Sequence, residues 1–119
     1  MNDDTFENLE VWQEAVELAV RVFGLFRPCR DFEFRGQIQA AAVSVSSNIA
    51  EGYERSSNAE FIRFLDIARG SCGEVRSQTH VAFRVQLLQE ADAIALIADA
   101  KRLSKRIARL MEVRRKDFS

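Results

Sequence analysis

The chain is poor in the residues that most often carry chemistry. His80 is its only histidine, and Cys29 and Cys72 are its only cysteines. One imidazole and two thiols far apart in sequence are too few for a zinc site within one chain. A small secreted scaffold usually holds more cysteine. Both thiols are therefore read as reduced, and the expected location is the cytoplasm. One proline and five glycines are few for an all-β chain, which needs many turns. No run of about 18 apolar residues is present, so no membrane span is expected. The opening MNDDTFENLE is acidic, unlike a secretory leader. A nucleophile elbow, a phosphate loop and a dinucleotide fingerprint are all missing.

What is present suits one helical domain. The 119 residues are 47% hydrophobic and 29% charged, enough for a real core and one domain. Phe occurs nine times against a single Tyr, which points to core filling. The net charge of −1 hides an asymmetry. Residues 1–20 hold six acids and no base. Residues 101–116 hold Lys101, Arg102, Lys105, Arg106, Arg109, Arg114, Arg115 and Lys116 against Glu112 alone. Such a split marks either an interaction surface or two helices that neutralise each other.

Apolar residues recur at helical spacing in four stretches. Helix one is expected over 6–26, with Phe6, Leu9, Trp12, Val16, Ala19, Phe23 and Phe26 as its stripe and Asp4 or Thr5 as its cap. Helix two is expected over 33–52, with Phe34, Ile38, Ala41, Val45 and Ile49 inward and Gly52 near its end. Helix three is expected over 58–87. Ser57 and Glu60 form a capping box ahead of Phe61, Leu65, Ala68, Cys72, Val75, Thr79 and Ala82. Gly70 and Gly73 each cost about 1 kcal/mol inside that helix, and close packing is the expected compensation. Helix four is expected over 90–115, with Leu96, Ala100, Leu103, Ile107 and Leu110 inward and its bases mainly on the opposite face. Short connections predict an antiparallel up-down four-helix bundle, all-α, with helix one beside helix four.

The stretch SSNIAEGYER, residues 46–55, sits between two apolar helical patterns and carries two serines, an asparagine, two glutamates, a glycine and an arginine. Ser47 and Glu51 share a helix face, yet no histidine or lysine lies near in sequence to activate the serine. No catalytic residue set, cofactor or metal site is expected from it. A structural role explains more: Ser44, Ser47, Asn48 and Glu51 can satisfy polar groups at a tight helix contact. Arg55, Arg63 or Arg69 can pair with Glu51 or Glu74, and Arg69, beside Gly70 and Ser71, is expected in a buried salt bridge.

VWQEA, AAAVSVSSNIAEGYER and EFIRFLDIARGSCGEV, in that order, resemble the four-helix-bundle proteins encoded in intervening sequences of bacterial large-subunit ribosomal RNA. The accessory protein of diversity-generating retroelements belongs to the same family. The shared pattern covers about residues 6 to 85, with Asn48, Glu51, Gly52, Arg69, Gly70 and Ser71 at its centre. The resemblance implies a protomer that assembles into a ring-like homopentamer, with no known enzymatic activity. For the retroelement relatives it implies binding of RNA or DNA, and of a reverse transcriptase, through a basic surface. Gln39 and Ala40 stand where the family often has two bases, Val45, Ser46 and Ser47 where it often has a proline, and Glu54 where it often has glycine. With an isoelectric point near 5.9, two readings stay open. One is a nucleic-acid-binding accessory protein acting through the bases of helix four. The other is a structural or protein-binding scaffold whose basic helix serves subunit contacts.

Overall fold

The computed structural model describes residues 5–118. A single 3-10 turn, Phe6–Asn8, leads into four helices: α1 Glu10–Phe26, α2 Phe32–Tyr53, α3 Asn58–Arg84 and α4 Glu90–Phe118. At 1.5 Å per residue α4 is about 43 Å long. It thus sets the long axis of a molecule measuring 46 × 23 × 22 Å.

Each helix packs on its sequence neighbours, and α1 closes the ring against α4. The register is antiparallel. Along the α1–α4 seam Glu14 pairs with Arg106 and Arg21 with Asp99, so one helix rises as the other falls. Along the α2–α3 seam Ser44 meets Ser71, and Gly52 meets Phe64. This is the up-down four-helix bundle that the short connections require.

Local chemistry sets most boundaries. Ser57 Oγ accepts the Glu60 N–H at 3.1 Å, as a capping residue should. The Glu60 carboxylate turns instead to Arg63, at 3.1 Å. Asp31 caps α2 by accepting the Phe34 N–H at 3.1 Å. Helix one starts later than its periodicity suggests. Thr5 makes no side-chain cap, and α1 opens at Glu10 behind Leu9. Asp4 lies outside the described residues. The end of α3 is a left-handed cap: Gln86 has φ +65°, Leu87 N–H donates to Ala82 O at 2.8 Å, and Gln86 N–H donates to Phe83 O at 3.1 Å. That cap stops α3 at Arg84, short of the expected Leu87.

The α3 stripe is buried throughout, from Phe61 to Ala82. In α1 the buried stripe is Val11, Ala15, Leu18, Val22 and Phe26; it shares Phe26 with the expected stripe and otherwise lies one position away from it. Trp12, Val16 and Ala19 are half-buried, and Phe23 is exposed. This helix is apolar around much of its circumference, so two stripes satisfy the same period. Trp12 meets Phe6 edge-on, ring centroids 5.2 Å apart.

The glycines correct another expectation. A Cβ on Gly52 would lie 2.5 Å from Phe64 Cβ and 3.2 Å from Phe61 Cδ1. Here α2 and α3 approach too closely for any side chain. A Cβ on Gly70 or Gly73 would meet nothing within 4 Å. Close packing within the protomer therefore does not offset their helix cost.

Candidate nucleic-acid interface

The polar stretch of α2 points into the α2–α3 seam. Ser44 Oγ and Ser71 Oγ lie 2.9 Å apart. Asn48 Nδ2 donates to Ser44 O at 2.8 Å and to Ser44 Oγ at 3.0 Å, and Ser71 also reaches Ile67 O at 3.4 Å. These bonds satisfy small polar groups where two helices touch, and Gly52 admits the contact one turn on. Ser47 and Glu51 face solvent instead, with Glu51 bonded to Arg55 at 2.7 Å. Arg69 is exposed and pairs with Asp66 on its own helix at 3.0 Å, not in a buried bridge. Its position on α3 turns it outward, where water already solvates the guanidinium. Cys72 is packed in the core, and burial pushes its thiol up to about 12. Among the described residues, no group of three or more His, Cys, Asp or Glu side chains is placed to hold a metal ion. No helix among them is long and apolar enough to cross a membrane.

The eight bases of α4 divide into three sets. Arg106 pairs with Glu14 of α1, and Arg102 reaches Asp99 at 3.1 Å, the same carboxylate that takes Arg21. The acidic first helix thus does neutralise part of the basic last one. Arg114 turns inward. Its Nε donates to Asn58 Oδ1 at 2.8 Å, its guanidinium lies 4.9 Å from the centre of the Phe61 ring, and Asn58 Nδ2 donates back to Arg114 O at 3.0 Å. This clamp ties the end of α4 to the start of α3. Lys101, Lys105, Arg109, Arg115 and Lys116 are exposed, and no ion pair is formed by any of them among the described residues.

Three of those five, Lys105, Arg109 and Arg115, line an open groove of about 870 Å³ between α3 and α4. Arg63 and Arg69 line its other wall. Ile62, Ala108 and Met111 form the apolar part of the lining, and Asp66 and Glu112 are its acids. Glu60 hydrogen-bonds Arg63, which holds the Glu60 carboxyl below its ordinary range and the Arg63 guanidinium above its own. The groove adds two α3 residues to the bases legible on α4. Their spacing on α3 is visible in the sequence, but their alignment with α4 depends on the α3–α4 register.

These features define a class: an all-α four-helix bundle with a cation-rich groove along one seam. The chain belongs to the 23S rRNA-intervening sequence protein family, whose model matches residues 7–109. That match agrees with the resemblance carried by its first three helices. A crystal structure of a protein with unknown function from the S23 ribosomal protein family of Bacteroides thetaiotaomicron VPI-5482 is similar, with a TM-score of 0.80 and 23% identity. The alignment covers 85% of this chain and 97% of that one, and at this identity it speaks for the fold. No curated protein matches.

Proposed function

We propose that this chain is a non-enzymatic accessory protein that associates with nucleic acid through the exposed bases of α4. The observation that carries this reading is the set Lys101, Lys105, Arg109, Arg115 and Lys116, which α1 leaves unneutralised. The family description refers to 23S rRNA, which supports the same direction. In the ring-like homopentamer implied by the resemblance, five copies would multiply a weak contact through avidity. A reverse transcriptase is the protein partner the same resemblance suggests, and the cytoplasm the location.

A second reading is a structural or protein-binding scaffold without a nucleic-acid role. It is favoured by the seam pairs Glu14–Arg106 and Arg21–Asp99, which use basic residues for packing. It is also favoured by the exposed apolar side chains Val20, Phe23 and Phe32. Fluorescence-anisotropy titration with structured RNA, single-stranded DNA and duplex DNA over a salt series separates the two. Released counterions make phosphate binding fall steeply with salt. Salt-sensitive binding supports the first reading, and its absence at low salt supports the second.

A further inference from the structure

We infer that the α3–α4 groove seats the phosphodiester backbone of a double-helical nucleic acid and reads charge rather than base sequence. This rests on the nucleic-acid reading above and narrows it to one seam and one ligand geometry. Lys105, Arg109 and Arg115 supply three cations that form no ion pair among the described residues, and Arg63 and Arg69 face them from α3, with Glu112 and Asp66 as the acids of the lining. From Lys105 to Arg115 the helix rises about 15 Å. A row of that length can meet successive phosphates of one backbone strand, whose charges the three cations would neutralise.

The lining discriminates among anions. Among the described residues, no aromatic side chain lines the groove. Proteins that hold single strands stack bases on aromatic rings. Phe64, beside Arg63 on α3, is buried, with the Arg55 and Arg63 guanidinium groups 4.8 and 4.7 Å from its ring centre. The apolar floor does not project. Met111 is buried, and Ile62 and Ala108 are half-buried, so the groove offers a protein partner little exposed apolar surface. The groove is open along its length, which suits a polymer better than an enclosed small molecule.

Anisotropy titration of the full-length protein tests this, with duplex RNA, duplex DNA, unstructured oligouridine and polyglutamate as probes. The groove variant carries Lys105→Gln, Arg109→Gln and Arg115→Gln. A control of equal charge change carries Arg27→Gln, Arg30→Gln and Arg84→Gln at the far end of the bundle. Light scattering verifies that both keep the wild-type mass. The expected result is tighter binding of duplex than of oligouridine or polyglutamate. The slope of log affinity on log salt should fall by about 3 in the groove variant, near 0.9 per lost phosphate contact, and stay unchanged in the control. Glu112→Gln should tighten duplex binding about twofold by removing a repelling charge, a gain that misfolding cannot imitate. Duplex binding that the groove variant leaves intact, or oligouridine bound as tightly as duplex, overturns the groove assignment while the broader reading stands. Polyglutamate bound as tightly as duplex overturns it in favour of an acidic protein partner. No binding of any nucleic acid at low salt overturns both.

Discussion

Gly52 and Gly70 sit in helices of the same bundle, yet substitution by alanine should move stability in opposite directions. At Gly52 the new Cβ would lie 2.5 Å from Phe64 Cβ, against an ordinary carbon–carbon separation of about 3.5 to 4.0 Å. Phe64 Cβ is fixed to the α3 backbone and cannot rotate aside. The two helices must therefore separate by about 1 Å over a seam held by Ser44, Asn48 and Ser71. Overpacking of this kind costs about 1 to 3 kcal/mol. The helix preference for alanine returns up to about 1 kcal/mol, and less near a helix end. A net loss of about 1 to 2 kcal/mol is expected. At Gly70 the Cβ meets nothing within 4 Å, and only the preference acts, giving a gain of about 1 kcal/mol. For a chain of this size 1 kcal/mol is worth about 4 °C in Tm. Urea unfolding followed by circular dichroism measures both variants against the wild type. A Gly52→Ala protein as stable as wild type would refute the close approach as the reason for glycine there. A Gly70→Ala protein that loses stability would show that its outer face is covered in the folded assembly.

Further expectations follow from other contacts. Replacing Gln86, at φ +65°, by glycine should stabilise the protein by about 1 kcal/mol, since the left-handed region penalises a side chain by about that much; thermal melts decide it. Ser44→Ala and Ser71→Ala should each cost about 1 kcal/mol, and the double variant less than their sum, because they share one hydrogen bond; a double-mutant cycle in urea reads the coupling. Cys72 stays neutral in the folded chain up to about pH 12, while its unfolded thiol ionises near its ordinary value of 9.0. Between those values the unfolded state holds fewer protons. The contribution of this group is therefore intact below about pH 9 and is lost as pH rises, by about 1.4 kcal/mol per unit. The stability difference between wild type and Cys72→Ala should shrink from pH 8 to pH 10, and a constant difference would contradict the burial argument. Glu14→Gln should change stability by less than about 1 kcal/mol, because its partner Arg106 is half exposed and surface pairs contribute little; urea melts at low and high salt test it.

The bundle was legible because its signals are local and repeated. In α3, capping by Ser57 and a single apolar stripe leave one solution, and every expected core position is buried. In α1 the same logic chose a neighbouring stripe, because Trp12, Val16 and Phe23 match the helical period as well as Val11, Leu18 and Val22 do. Periodicity measures how apolar a face is, not which of two apolar faces meets its neighbours. Asp31 could have been recognised as a cap three residues before Phe34, a signal as local as that of Ser57. The left-handed Gln86 carried no such mark, since glycine is the usual signal for that cap.

The sequence by itself determined the number of helices, most of the core and the concentration of bases on α4, each encoded within a few turns of one helix. Only the tertiary structure decided what those bases are available to do. Arg106 joins α1 and Arg114 clamps α3, while Lys105, Arg109 and Arg115 face Arg63 and Arg69 across an open groove. These assignments depend on the antiparallel register of α4 against α1 and α3. The register is set by the packing of whole apolar faces, and a charge cannot be matched to its partner until that packing has brought the two helices side by side.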